Sequence, residues 1–164
     1  MPGLAPPTYL DGDPERILGF GGMGSGKTSA WLAIAERCPD NKFYVIDTDG
    51  AVRRMIAQRN LPNVISRHAS TWQDFVETTK EYRSLVKPGD WQVVDFLPPA
   101  WDAVQEWYVE QVYGNNMATY FLQKRKANAK GNPIDGDKDW PTIKRNYRAF
   151  IEMLKLSPAH VFVT

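Results

Sequence analysis

Residues Gly21-Gly22-Met23-Gly24-Ser25-Gly26-Lys27-Thr28 hold four glycines, a lysine and two hydroxyls within eight positions. Glycines let successive backbone N–H groups turn inward around an anion, a lysine beside them adds a positive charge, and a hydroxyl next to it can ligate a hard divalent cation. The spacing Gly21-x-x-x-x-Gly26-Lys27-Thr28 is that of a loop wrapping the phosphates of a nucleoside triphosphate, with Ser29 following in the first helical turn. Its flanks agree: the apolar Ile17-Leu18-Gly19-Phe20 precedes it as a short strand, and "SAWLAIAER" follows as a helix.

A metal held by Thr28 needs an acidic partner at the end of a neighbouring strand, and two are available. Asp47 ends "FYVID" and Asp95 ends "WQVVD", 20 and 68 residues beyond Lys27. With Asp47 as partner the arrangement is that of nucleotide kinases and GTPases. With Asp95, at least one strand is added outside it before the chain returns beside the loop strand, as in RecA and AAA-type ATPases, and "VIDTDG" is free to supply a second acid. A guanine reader of the N-K-x-D type is absent, because "NKFY" at 41–44 lacks its aspartate. ATP is therefore the expected nucleotide, with Mg²⁺.

The elements that must position these groups follow from periodicity. Prolines at 2, 6, 7 and 14 make residues 1–14 an irregular lead-in, and 15–164 the nucleotide-binding domain. A helix over Thr28–Arg37 is apolar nearly all round, so it packs on a sheet. "KFYVIDTDG", "NVISRHA", "WQVVDF" and "HVFVT" are strands. Ser70 caps a helix to about Val86 on which Trp72, Phe75, Val76, Thr79, Tyr82 and Val86 recur at helical spacing. Further helices are expected over about 100–113 and from Asp139, with a long loop across 114–138. Strands alternating with helices give an α/β fold with a mostly parallel sheet covered on both faces. The chain stops at Thr164, the last residue of a strand with central character, so an incomplete C-terminus is expected.

Bulk properties narrow the class. Twenty basic and nineteen acidic residues leave a net charge of +1, so no global field selects nucleic acid or membrane. No stretch reaches the roughly 18 apolar residues of a membrane span, and the first residues carry no signal-peptide pattern. Cys38 has no cysteine partner, and His68 and His160 are isolated, so no zinc site is expected. A reducing cytoplasm is the expected setting.

"FYVIDTDGAVRRM" resembles the segment of RecA-like ATPases in which a strand ends in Ile-Asp and an acid two positions later polarises the attacking water. That likeness makes Asp47 the strand-end acid and puts Asp49, one methylene shorter, at the place of the catalytic glutamate. "VVDFLPPAWDAV", "DWPTIKRNYRAFIEML" and "SPAHVFVT" resemble the phage-type RecA-like P-loop ATPases of the AAA superfamily, associated with single-strand annealing and recombination. In these a Trp-initiated helix with a Lys-Arg pair precedes a strand ending in a polar sensor, here Thr164. Where many relatives have Ser or Thr after the metal-partner aspartate, this chain has Phe96. The resemblance implies a P-loop NTPase that hydrolyses ATP with Lys27, Asp49 and Asp95, Asp95 holding Mg²⁺ through water. It also implies single-stranded DNA as partner, a possible homo-oligomer and, for a phage-encoded chain, the host cytoplasm. Two rivals stand beside it: a nucleoside or small-molecule kinase with Asp47 as metal partner and 114–138 as lid, and a scaffold that binds nucleotide without turnover.

One cationic segment suits a single-stranded nucleic acid: Lys124, Arg125 and Lys126 sit beside Tyr120 and Phe121. Lys144, Arg145 and Arg148 share a flank of the last long helix, where they form either an exposed helix face or a phosphate-sensing or inter-subunit patch. Trp31 and the five other tryptophans are expected in the core.

Overall fold

A computed structural model describes residues 13–127 and 138–164. Its elements are β1 (Arg16–Leu18), α1 (Lys27–Arg37), β2 (Phe43–Asp47), α2 (Val52–Arg59), β3 (Val64–His68), α3 (Trp72–Leu85), β4 (Trp91–Asp95), α4 (Pro98–Tyr113), α5 (Met117–Ala127), α6 (Asp139–Lys155) and β5 (His160–Val163). The fold is α/β: five strands form one sheet in the order β1-β5-β4-β2-β3, and every pairing is parallel.

Alternation along the strands sorts the core into two layers, because successive side chains of a strand point to opposite faces. Tyr44, Ile46, Val94 and Val161 pack with Phe75 and Tyr82 of α3, Val104 of α4, and Ile143, Phe150 and Leu154 of α6. Phe43, Val45, Trp91, Val93 and Phe162 pack with Trp31, Leu32 and Ala35 of α1 and Val52 of α2. Both faces of β2 and β4 are covered, which is why these two strands are buried at every position. The same parity continues through Asp47, Asp95 and Thr164. All three leave their strands on the side of α1.

Two expectations need correction, and one helix is additional. The segment 114–138 is not one long loop, since α5 runs over Met117–Ala127; its apolar stripe, Met117, Tyr120 and Phe121, spans little more than one turn before the polar QKRKA. Helix α2 is an additional element: Val52 is buried and Met55 and Ile56 pack partly against the same core, an i, i+3, i+4 stripe too short to stand out among the arginines of "VRRMIAQR". The cap of α3 is Thr71 and not Ser70. Its hydroxyl accepts from the Asp74 amide at 3.2 Å while Asp74 accepts from the Thr71 amide at 2.9 Å, a reciprocal box that Ser70 is one residue too early to make.

Long-range side chains fix the last helix. Tyr108 and Tyr113 donate to the two oxygens of buried Asp139 at the start of α6, at 2.8 and 2.9 Å. At its other end the Arg16 guanidinium donates to the carbonyls of Lys155, Ser157 and Ala159. Arg16 thus satisfies carbonyls that a helix end leaves unpaired, and it joins α6 to the edge strand β1. Among the described residues no helix is long and apolar enough to cross a membrane.

Candidate functional site

The loop Gly21–Gly26 leaves the C-terminal end of β1 and delivers α1 at Lys27. Gly26, the residue before the helix, has φ 86°, a left-handed conformation that only glycine adopts without strain. Gly21 is constrained differently: a Cβ there would lie 2.4 Å from the Ser25 hydroxyl. The Lys27 ammonium folds over the loop and donates to the carbonyls of Gly21 and Gly22 at 2.8 and 3.0 Å. No side chain caps α1, and its first turn holds no acid. Its leading N–H groups and the helix dipole therefore favour an anion. Residues 24–29 with Met55 line a concavity of about 230 Å³ over this helix start. Gly22, Met23, Gly24 and Ser25 are exposed along the loop, while Thr28 and Ser29 are half-buried.

Asp95 ends β4 on the side of α1 and is 5% exposed. Thr164 donates from its hydroxyl to Asp95 Oδ1 at 2.7 Å. Trp31 donates from its indole Nε1 to Asp95 Oδ2 at 3.1 Å. Among the described residues no Lys, Arg or His pairs with this carboxylate. Two neutral donors, one on each oxygen, orient this buried carboxylate without a competing cation beside it. Its oxygens and the Thr28 hydroxyl are of the hard-oxygen type that suits Mg²⁺, an ion that retains most of its water. Bound there, the ion would neutralise phosphate charge and polarise the phosphoryl oxygens.

Asp47 lies in register with Asp95 on the neighbouring strand and is just as buried, at 3%. Its surroundings differ. Oδ1 accepts from the Gly50 amide at 3.0 Å, closing its own turn. Burial pushes its carboxyl above the ordinary value, against the lowering effect of the Gly50 amide, and the nearby Asp49 pushes it further up. Asp49 is exposed and accepts from the Ala51 amide at 2.9 Å. Thr48 ties this turn to the other strand end, donating to the carbonyls of Asp95 and Phe96.

Sheet order ranks the two acids. One strand, β5, separates β1 from β4, and two separate β1 from β2. Gly19, Gly21 and Gly24 also carry the G-x-G-x-x-G spacing of dinucleotide-binding loops. In that motif the loop strand and the next strand in sequence are neighbours in one βαβ unit, whereas β1 and β2 here are not.

The cationic segments lie apart from the loop in sequence. Lys124, Arg125 and Lys126 fall on α5, with side chains outside the described residues. Lys144, Arg145 and Arg148 are exposed on α6 and, with Trp140 and Pro141, line a concavity of about 550 Å³. Trp140 stacks on Trp101 at 6.1 Å with the rings 9° from parallel.

Trp31 is the site residue that sequence reasoning assigned only to the core. It is indeed fully buried, but its N–H finds its acceptor 64 residues away. Buried indole nitrogens need an acceptor, and the sequence signal was a tryptophan one turn past the loop lysine. No family model matches the chain, and no curated protein shows significant similarity to it.

Proposed function

We propose that the protein is a RecA-like P-loop ATPase that binds Mg²⁺·ATP on Gly21–Ser29 and hydrolyses it slowly on its own. The observation that carries this reading is the position of β5 between β1 and β4, with Thr164 at its end bonded to Asp95. That order supports Asp95 as the metal partner and Thr164 as the polar group that senses its state. It disfavours the kinase arrangement, in which the strand of Asp47 would stand next to the loop strand.

In this reading Lys27 exchanges its loop carbonyls for phosphate oxygens, Thr28 and Asp95 hold the metal and its water, and Asp49 polarises the attacking water. Asp49 is the acid with an exposed carboxylate beside the strand ends. Positioning and electrostatics do most of the work in phosphoryl transfer, and a cation supplied by a neighbouring molecule adds roughly 10³- to 10⁵-fold. Slow turnover by the chain alone follows.

Single-stranded DNA is the proposed macromolecular partner. The exposed Lys144, Arg145 and Arg148 beside Trp140 support it, as cations flanking an aromatic suit a strand with unstacked bases. Replacing all three by Ala should reduce the log–log salt slope of oligo(dT) binding by about 2, at ~0.7 per phosphate contact. An unchanged slope returns the stripe to a solvated helix face.

Phosphorus NMR of the ATP reaction, with and without oligo(dT), tests the activity. The expected result is inorganic phosphate as the product. A phosphorylated small-molecule acceptor without phosphate release indicates a kinase, and bound but intact ATP indicates a scaffold.

A further inference from the structure

The indole of Trp31 offers more than volume to the core. It is 0% exposed, and its one polar atom is spent on Asp95 Oδ2 at 3.1 Å. Phenylalanine or leucine could fill much of the same space without bringing a donor. Trp31 also follows Thr28 by three residues and Lys27 by four on α1, so all three side chains lie along neighbouring rows of one helix. The residue that grips the carboxylate therefore rides on the helix that carries the phosphate lysine and the metal hydroxyl.

We propose that Trp31 is a positioning residue for the metal partner, fixing the Asp95 carboxylate relative to the start of α1. Resting on the Mg²⁺·ATP reading above, it names a device within that site. Two donors from two elements, the indole of α1 on Oδ2 and the Thr164 hydroxyl of β5 on Oδ1, fix the plane of the carboxylate. Each oxygen keeps further accepting capacity, with which it would hold metal-bound water. An Arg or Lys could orient the group equally well, but its charge would repel the cation. The neutral indole orients without that cost.

The test uses the whole chain with Trp31→Phe, which removes the N–H and keeps an aromatic ring. Orienting partners of metal ligands typically contribute 10- to 100-fold in metal affinity. The Mg²⁺ concentration for half-maximal ATP binding should rise about tenfold, the lower end of that range. ATP affinity without Mg²⁺ should stay within about twofold, as expected for a residue that touches no phosphate. An unchanged Mg²⁺ requirement overturns the proposal, and so does an equal loss with and without Mg²⁺, which marks a purely structural role.

A second arm does not depend on the folding of that variant, and its first reading needs no ATP. In protein labelled with ¹⁵N-tryptophan, Asp95→Asn should shift one indole N–H resonance of the six tryptophans, because its acceptor loses its charge. Mg²⁺ added to the ATP-bound parent should move the same resonance most. Absence of the Asn-dependent shift overturns the proposal, and so does absence of the Mg²⁺-dependent shift in a parent that binds ATP. A parent that binds no ATP but shows the Asn-dependent shift leaves the bond standing and sinks the ATPase reading alone.

Discussion

Asp47 and Asp95 are the closest thing to an internal control that this molecule contains. Each follows four buried residues of a parallel strand, the two are in register, and both point toward α1. Yet Asp47 closes its own turn through the Gly50 amide, while Asp95 is held by side chains from α1 and from the end of β5. One carboxylate serves the backbone beside it. The other is presented by two distant elements. Since the local sequences are alike, the difference comes from the sheet, which puts β4 against β5 and β2 one strand further from the loop.

The largest test of this contrast removes what both acids would serve. Lys27→Ala should weaken ATP binding roughly 100-fold, the ~2 to 3 kcal/mol of contacts to a charged group, without lowering thermal stability. Lys27 bonds only to its own loop, so the fold does not depend on it. Isothermal titration and a melting curve read both quantities, and ATP affinity equal to the parent's removes the loop assignment.

Next comes the turn beyond Asp47. Asp49→Asn should leave ATP affinity within about twofold and lower turnover by about 100-fold, the low end for a lost general base. Equal turnover in variant and parent withdraws Asp49 from the chemistry and leaves its bond to the Ala51 amide as its role.

The smallest effect is a pH dependence on the Asp47 side. Its carboxyl is raised above the ordinary 3.8 mainly by burial, so the fold disfavours its charged form. The sign follows from linkage: the cost is full above the raised value and disappears as pH falls through it toward that of the unfolded chain. Asp47→Asn, whose side-chain oxygen can still accept from the Gly50 amide, should therefore melt no lower than the parent at pH 7. Any advantage should vanish near pH 4. A variant markedly less stable at pH 7 would mean that the charged form is favoured.

The contrast also explains what the sequence disclosed. The candidate phosphate loop is legible because the proposed chemistry needs contiguous residues with fixed conformations, such as Gly26. Strand parity put Asp47, Asp95 and Thr164 on one side, and the apolar runs that carry it are local. Choosing between the acids required the strand order, which depends on where β5 inserts between β1 and β4. Trp31 was illegible as an orienting group because nothing near it in sequence names its acceptor. The stripes of α2 (Val52, Met55, Ile56) and α5 (Met117, Tyr120, Phe121) span little more than one turn each, too short to stand out against charged neighbours. At α3 two capping residues stand side by side, and only the three-residue step from Thr71 to Asp74 selects the cap.

The central claim is that Asp95 and not Asp47 is the metal partner. Mg²⁺ titrations of ATP binding, run in parallel on Asp95→Asn and Asp47→Asn, test it most directly. The account predicts that Asp95→Asn raises the Mg²⁺ requirement by at least about tenfold, while Asp47→Asn leaves it at the parent's value. A raised requirement in Asp47→Asn alone would contradict the account and favour the kinase-type arrangement.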